Sequence, residues 1–339
     1  MITVLAGGVG AARFLQGLLR VVSGEAVTIV SNVGDDAEFF GLHVSPDVDA
    51  VLYHLAGLAD EERGFGLRDD TFHTLDALSR FGYDTWFSLG DRDLATCIAR
   101  TDLLRRGRTL SEATAEIARA LGVPARVLPA TDDRLRTKIR TSAEGGSASG
   151  GDGGLLDFQE FFVRRRARDP VREIIFDGAA DARPAAGVLD AIAAADAVLI
   201  TPSNPLVSIG PILAVPGVRD ALRETKAKVA TVSPIVGGAA IKGPAAQMMR
   251  DQGLEVSAAG VARLYASAFG GLDVMVIDDV DAGLAAEIEA IGLPGPAGRP
   301  TLGPGRQGLA VTVTDTIMSS MEKKAALART TLRAAGIAL

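Results

Sequence analysis

The chain has 339 residues and a net charge of −7, with 47% hydrophobic and 23% charged residues, enough apolar content to bury a substantial core in one or two domains. Acidic and basic residues interleave, which leaves no footprint for nucleic acid, and the one short basic run, Arg164-Arg165-Arg166, reads as a solvated strand end. Cys97 is the only cysteine, which excludes an intrachain disulfide and a thiolate zinc cage, and with three histidines any metal falls to carboxylates, the ligands of Mg²⁺ or Ca²⁺.

Taken in chain order, Ile2–Ala6 is a short apolar run ended by glycines, as expected of a buried parallel strand. Residues 11–22 carry Phe14, Leu15, Leu18, Leu19 and Val22 at the spacing of one helix face. Val27–Ser31 is a second β-branched run. This βαβ opening predicts an α/β fold with a mostly parallel sheet. The stretch that follows reads as a loop leading into a helix, with Pro46 at its start and Val48, Val51, Leu52 and Leu55 on its apolar face. Helices are predicted over "DDTFHTLDALSRFG", "DRDLATCIARTDLLRRG" and "TLSEATAEIARALG", the last with Thr109, Ser111 and Glu112 at capping positions. Residues 45–125 therefore form a helical insertion in a single domain spanning 1–339. Strands at Arg126–Pro129 and 137–141 lead to residues 142–154, a Gly/Ser-rich stretch expected to be a flexible loop. "LLDFQEFFVRRR" resumes strand character. Runs at Ala197–Ile200, 229–232, Val274–Ile277 and 309–313 alternate with helical segments up to a final helix over 319–335. No apolar run is long enough to span a bilayer and no leader pattern opens the chain, so a soluble cytoplasmic protein without a membrane partner is expected.

Chemistry concentrates in loops after strands. The turn Gly7-Gly8-Val9-Gly10 should expose backbone N–H groups at a helix start, an anion site to which Arg13 adds charge one turn in; the alternative is a tight turn with Arg13 solvated. Asp35-Asp36 and the pair Asp47 and Asp49 flank the loop after the second strand, at the sheet edge where ligands bind. Asp35, Asp36 and Asp47 are the candidate metal ligands. Asp47 and Asp49 are two apart at a helix start, so one is expected to cap and the other to point into the cleft; charge complementing the helix dipole is the simpler alternative. In "LGDRD", Asp91 or Asp93 can cap the following helix, and Arg92 between two acids is an unusual choice for structure alone. "TPSNPLVSIGPIL", with Ser203, Asn204 and Pro205, and "SPIVGGAAIKGPA", with Gly237 and Lys242, are two more loops of small polar groups after strands. Together with the glycine turn they suit a ligand the size of a nucleotide.

The strings "LAGGVGAARFL", "SNVGDDA", "SPDVDAVLY", "LGDRDLAT", "LPATDDR", "FQEFFV", "PSNPLVSIGPILAVPG", "SPIVGG" and "KGPA" resemble, in that order, the 2-phospho-L-lactate transferase family of coenzyme F-420 biosynthesis, and within it the actinobacterial phosphoenolpyruvate transferases. The resemblance implies a Rossmann-like sheet with a helical portion, a homodimer, and a Mg²⁺-dependent reaction. A guanosine diphosphate-linked donor, enolpyruvyl- or lactyl-diphosphoguanosine, is attacked by the terminal ribityl hydroxyl of the deazaflavin Fo, GMP leaves, and dehydro-F-420-0 or F-420-0 forms. It also implies that Asp49 contacts Fo, where a carboxylate can act as general base, and that Ser88 aligns with another Fo-contacting position, with Arg92 on the same acceptor side. "PSNP" and "SPIVGG" fall where the family holds the guanosine nucleotide, which with Gly8, Gly10, Arg13 and Lys242 makes the donor side. Asp157 stands where many relatives carry His. A related family of the same fold binds UDP-sugars and is regulatory; it does not need the "SPDVD" and "LGDRD" strings. A dinucleotide oxidoreductase is disfavoured because Ser31-Asn32, not an acid, closes the second strand.

Overall fold

A computed structural model describes residues 1–142, 154–270, 272–291 and 308–339. The expected flexible loop over 142–154 falls, for residues 143–153, outside the described residues. The chain opens with β1 (Ile2–Ala6), α1 (Gly8–Leu18) and β2 (Val27–Ser31), then a hairpin of β3 (Ala37–Phe39) and β4 (Leu42–Val44). Four helices follow: α2 (Pro46–Leu55), α3 (His73–Arg80), α4 (Asp91–Arg105) and α5 (Leu110–Ala120). Next come β5 (Arg126–Pro129), β6 (Arg136–Thr141), β7 (Leu155–Asp157) and β8 (Val171–Asp177). The second half runs through α6 (Val188–Ala193), β9 (Ala197–Ile200), α7 (Gly210–Ala214), α8 (Val218–Glu224), β10 (Lys228–Val232), and a small hairpin of β11 (Ile235–Val236) and β12 (Ala239–Ala240). It ends with α9 (Ala245–Asp251), α10 (Ala258–Phe269), β13 (Val274–Ile277), α11 (Ala285–Ile291), β14 (Ala310–Val313) and α12 (Met321–Ala334).

Seven strands form one sheet in the order β14-β13-β10-β9-β1-β2-β5, and every neighbouring pair is parallel. A parallel sheet is covered on both faces, which is why β1, β2, β9 and β13 are buried along their whole length and read as continuous apolar runs. The chain winds outward from β1 to β2 and β5, then returns to β9 on the other side of β1. The strand order reverses between β1 and β9, and in such sheets the crevice beyond the carboxyl ends of the two strands is the ligand site. The crossover from β2 to its neighbour β5 carries the β3–β4 hairpin and α2–α5. A second sheet, β7-β6-β8, is antiparallel.

Three sequence expectations change. The stretch before α2 is not all loop: three-residue strands make the β3–β4 hairpin, too short to show alternation. Strand character in "LLDFQEFFVRRR" ends at Asp157, and Glu160–Arg164 is a π-helical turn that buries Phe161 while exposing Phe162 and Val163. Arg164 on that turn is not simply solvated, because it pairs with Asp84 at 3.1 Å and lies over the Trp86 ring at 5.8 Å. Among the described residues no helix is long and apolar enough to cross a membrane.

Candidate active site

The carboxyl ends of β1, β2, β9, β10 and β14 open on one cavity of about 750 Å³, whose far wall comes from α2, Phe87–Leu89, Asp93 and the segment around Phe158. Gly8, Gly10, Arg13, Asp35, Asp47, Asp49, Ser88, Ser203, Asn204 and Lys242, all singled out from the sequence, line it. Four others are placed elsewhere. Asp36 is buried beneath the start of α2, where its Oδ2 accepts from Ser45 Oγ at 2.7 Å and faces His43 Nε2 at 2.9 Å. Arg92 reaches the Arg68 carbonyl at 3.1 Å. Pro205 is buried next to Asn204. Gly237 donates its N–H to both carboxylate oxygens of Asp281.

The glycine turn has separable reasons for its composition. Gly8 adopts φ +76°, the left-handed region. A Cβ on Gly10 would lie 2.5 Å from the Pro202 carbonyl oxygen, so this glycine lets α1 approach the loop after β9. Ser203 Oγ closes the same contact by donating to the Gly7 carbonyl at 2.7 Å. Asn204 Oδ1 accepts from the Leu206 N–H at 3.0 Å, fixing the turn.

Asp47 and Asp49 both face the cavity, against the expectation that one of them caps. The N-terminal end and one flank of α2 form the wall, so Pro46, Asp47, Asp49, Ala50, Tyr53 and His54 all reach it. Asp47 Oδ2 accepts from Asn32 Nδ2 at 2.8 Å. Burial pushes its carboxyl up to about 6, with hydrogen bonds from Asn32 and the Gly8 amide opposing. Asp35 is raised well above the usual carboxylate range, first by burial and then by Asp47, and its Oδ1 has no partner among the described residues.

Asp49 is gripped by Arg100, which is fully buried: Nη1 donates to Oδ2 at 3.1 Å and Nη2 to Oδ1. Burial raises the Asp49 carboxyl against the pull of that guanidinium. Asp93 stands beside the pair. Its Oδ1 accepts from Tyr53 OH at 2.7 Å, and burial together with the Asp49 charge pushes it up to about 7. Oxygens of Asp49 and Asp93 and the Cys97 sulfur lie within 4.8 Å of one another. Burial also pushes the Cys97 thiol up, so it stays protonated. His54 donates from Nδ1 to the Ala50 carbonyl at 2.7 Å, leaving Nε2 without a partner among the described residues.

Capping near the cavity is exchanged between helices rather than made by Asp91 or Asp93 for their own helix. Asp70 accepts from the Arg92 and Asp93 amides at the start of α4, while Asp91 accepts from the His73 and Thr74 amides at the start of α3. Sequence reasoning missed Arg100, Tyr53, His54 and Ser208. The signal for Arg100 was the 4-then-3 spacing of Asp93, Cys97 and Arg100, which puts all three on one face of α4.

A fully parallel sheet that gathers glycine-rich and acidic loops where its strand order reverses makes the chain a Rossmann-like α/β protein with its candidate site at that reversal. It belongs to the 2-phospho-L-lactate transferase CofD family, whose model matches residues 2–289. It is 44% identical to a phosphoenolpyruvate transferase of Streptomyces griseus over 293 residues, 86% of this chain and 90% of that one. It is 38% identical to a 2-phospho-L-lactate transferase of Methanocaldococcus jannaschii over 336 residues, 99% of this chain and 98% of that one. Among solved structures, a member of the UPF0052 family from Bacillus halodurans superposes with a TM-score of 0.60 over 98% of both chains at 16% identity, a likeness of fold.

Proposed function

We propose that this transferase moves a phosphoenolpyruvyl or phospholactyl group from a guanosine diphosphate-linked donor to the terminal ribityl hydroxyl of Fo, releasing GMP. The observation that carries the reading is that the glycine turn with Arg13 and the carboxylate of Asp49 open onto the same cavity. The hydroxyl oxygen attacks the phosphorus that bears the enolpyruvyl or lactyl group. A new P–O bond forms, the bond to the bridging oxygen breaks, and that oxygen leaves with GMP. Asp49 takes the hydroxyl proton, oriented by the Arg100 fork behind it. Arg13 and Lys242 offset charge on the transferring phosphate, Ser203 and Asn204 shape the nucleotide side, and Ser88 and the Phe87, Phe158 and Phe162 rings offer the flat deazaflavin a wall.

The reading includes Mg²⁺. Asp35 and Asp47 fit a hard cation: both are oxygen ligands on the cavity, burial raises both carboxyls with the Asp47 charge adding to that of Asp35, and among the described residues nothing pairs the buried Asp35 Oδ1. When bound there, the ion would neutralise charge on the phosphate oxygens. A cytoplasmic homodimer is part of the same proposal.

Thermal shift separates this reading from a UDP-sugar-binding role. GDP should raise the melting temperature, while UDP-N-acetylglucosamine and NAD should not. Stabilisation by UDP-N-acetylglucosamine alone overturns it. Mass spectrometry of the product made from Fo, Mg²⁺ and each donor then identifies the transferred group.

A further inference from the structure

Lys324 lies on α12, beyond residue 289 where the family match ends, and is 3% exposed. An ammonium that deep needs partners. Its Nζ donates to Gln16 Oε1 at 2.7 Å and to Glu61 Oε2 at 2.8 Å. Gln16 Nε2 in turn donates to Glu61 Oε1 at 3.1 Å and to the His54 carbonyl at 3.2 Å. Both Glu61 carboxylate oxygens are thus tied, one to α12 and one to α1. The hydrogen bonds from Lys324 and Gln16 outweigh burial and hold the Glu61 carboxyl below its ordinary range.

The backbone of Glu61 does a second job. Its carbonyl accepts from Arg13 Nη2 at 3.2 Å. Among the described residues Arg13 Nε has no hydrogen-bond partner, so that donor is not spent on the protein bond that orients the guanidinium. The loop then runs through Arg63, Gly64, Phe65 and Gly66, all lining the cavity, and closes with the Asp60 N–H on the Gly66 carbonyl at 3.1 Å. A Cβ on Gly64 would lie 3.5 Å from Lys242 Nζ, which puts the loop against the second cation of that wall. If Lys324 served only to pack α12 on α1, an apolar stem of the same length would do; the charge is matched instead to a loop at the cavity.

We propose that Lys324 is a positioning residue for the donor site: through Glu61 it fixes the 60–66 loop and the Arg13 guanidinium where a diphosphate binds. The inference rests on the nucleotide reading above. It holds Arg13 in one place before the ligand arrives, so binding does not have to order a long side chain and a loop at once.

The test is calorimetry with GDP on the full chain, comparing the parent with Lys324→Met, Glu61→Gln and the double variant, alongside melting temperatures. Each single variant should weaken GDP about five- to tenfold, and the double should be no worse than either, because both cut one link. Lys324→Met should add nothing in an Arg13→Ala background. If Lys324→Met fails to fold, Glu61→Gln, on a partly exposed loop, carries the test by itself. Lower melting temperatures with parent-like GDP affinity in the single variants would make Lys324 a packing residue and overturn the proposal. A parent that does not bind GDP overturns the nucleotide reading, and this one with it.

Discussion

At Asp49 a fully buried guanidinium sets the terms. Asn in its place keeps the shape but leaves Arg100 without its fork partner, and removing one member of a buried pair usually costs about 3–5 kcal/mol. Asp93, close by, can ionise and take up part of that loss, so Asp49→Asn should lose about 2–3 kcal/mol in urea unfolding. Turnover should fall at least ~100-fold with GDP affinity near that of the parent. Parent-like turnover would remove Asp49 from the reaction. Asp93 gives a second test. Its carboxyl is raised from 3.8 to about 7, so between those values the folded protein holds a proton that the unfolded chain releases. Its contribution to stability therefore falls as pH rises through that window and stays lost above it. Asp93→Asn, which keeps an acceptor for Tyr53, should gain on the order of 1–3 kcal/mol at about pH 8 and little at about pH 4. A constant difference between the two unfolding curves across that range would show that Asp93 does not titrate there. Asp49 could be singled out from the sequence through the "SPDVD" string. For Arg100 the sequence offers only a shared face of α4 with Asp93 and Cys97; its pairing with Asp49 is not legible, because the partner is 51 positions away and a contact between two helices leaves no local period.

Elements were legible where one local rule governs them. The strands of the parallel sheet show as β-branched runs because burial on both faces admits little else, and α5 announces itself through a capping box that the structure completes: Thr109 Oγ1 accepts from the Glu112 amide and Glu112 from that of Thr109. The π-helical turn at Glu160–Arg164 was not legible, since Phe-Phe-Val favours a strand and only packing of Phe161 against Ile139 and Phe158 decides otherwise. The glycine turn sits between these cases: its composition was plain, but two of its glycines answer to protein neighbours. Gly10→Ala forces a methyl toward the Pro202 carbonyl and should cost about 1–3 kcal/mol while also weakening GDP, because the same shift moves Arg13 and Ser203. Thr109→Ala, a cap far from the cavity, should cost about 1 kcal/mol and leave GDP affinity alone. Equal GDP affinity in Gly10→Ala and the parent, by calorimetry, would detach the turn from the ligand.

At the scale of the molecule, the cavity is built from nearly the whole chain, from Gly7 to Ser319, so its last wall lies past residue 289, where the family match ends. That stretch supplies β14, the edge strand paired to β13, and α12, which packs along α1. The contact is close: a Cβ on Gly17 would lie 2.2 Å from the Lys324 carbonyl oxygen. α12 buries Leu327, Ala328 and Leu332 completely or nearly so. Losing the two leucines alone removes about 1.5–3 kcal/mol each, and stripping the helix also uncovers the face of α1 beneath it. Against a total stability of about 5–15 kcal/mol that is a large share. A chain ended after Ser319 keeps the cavity-lining segment at Thr316–Ser319 but lacks α12. It should unfold at a much lower urea midpoint than the parent, or without a cooperative transition, whereas Lys324→Met keeps the helix and should shift the midpoint far less. A truncated chain with the parent's midpoint would mean that α12 is an appendage, and an appendage could not hold Glu61, and through it Arg13, in place.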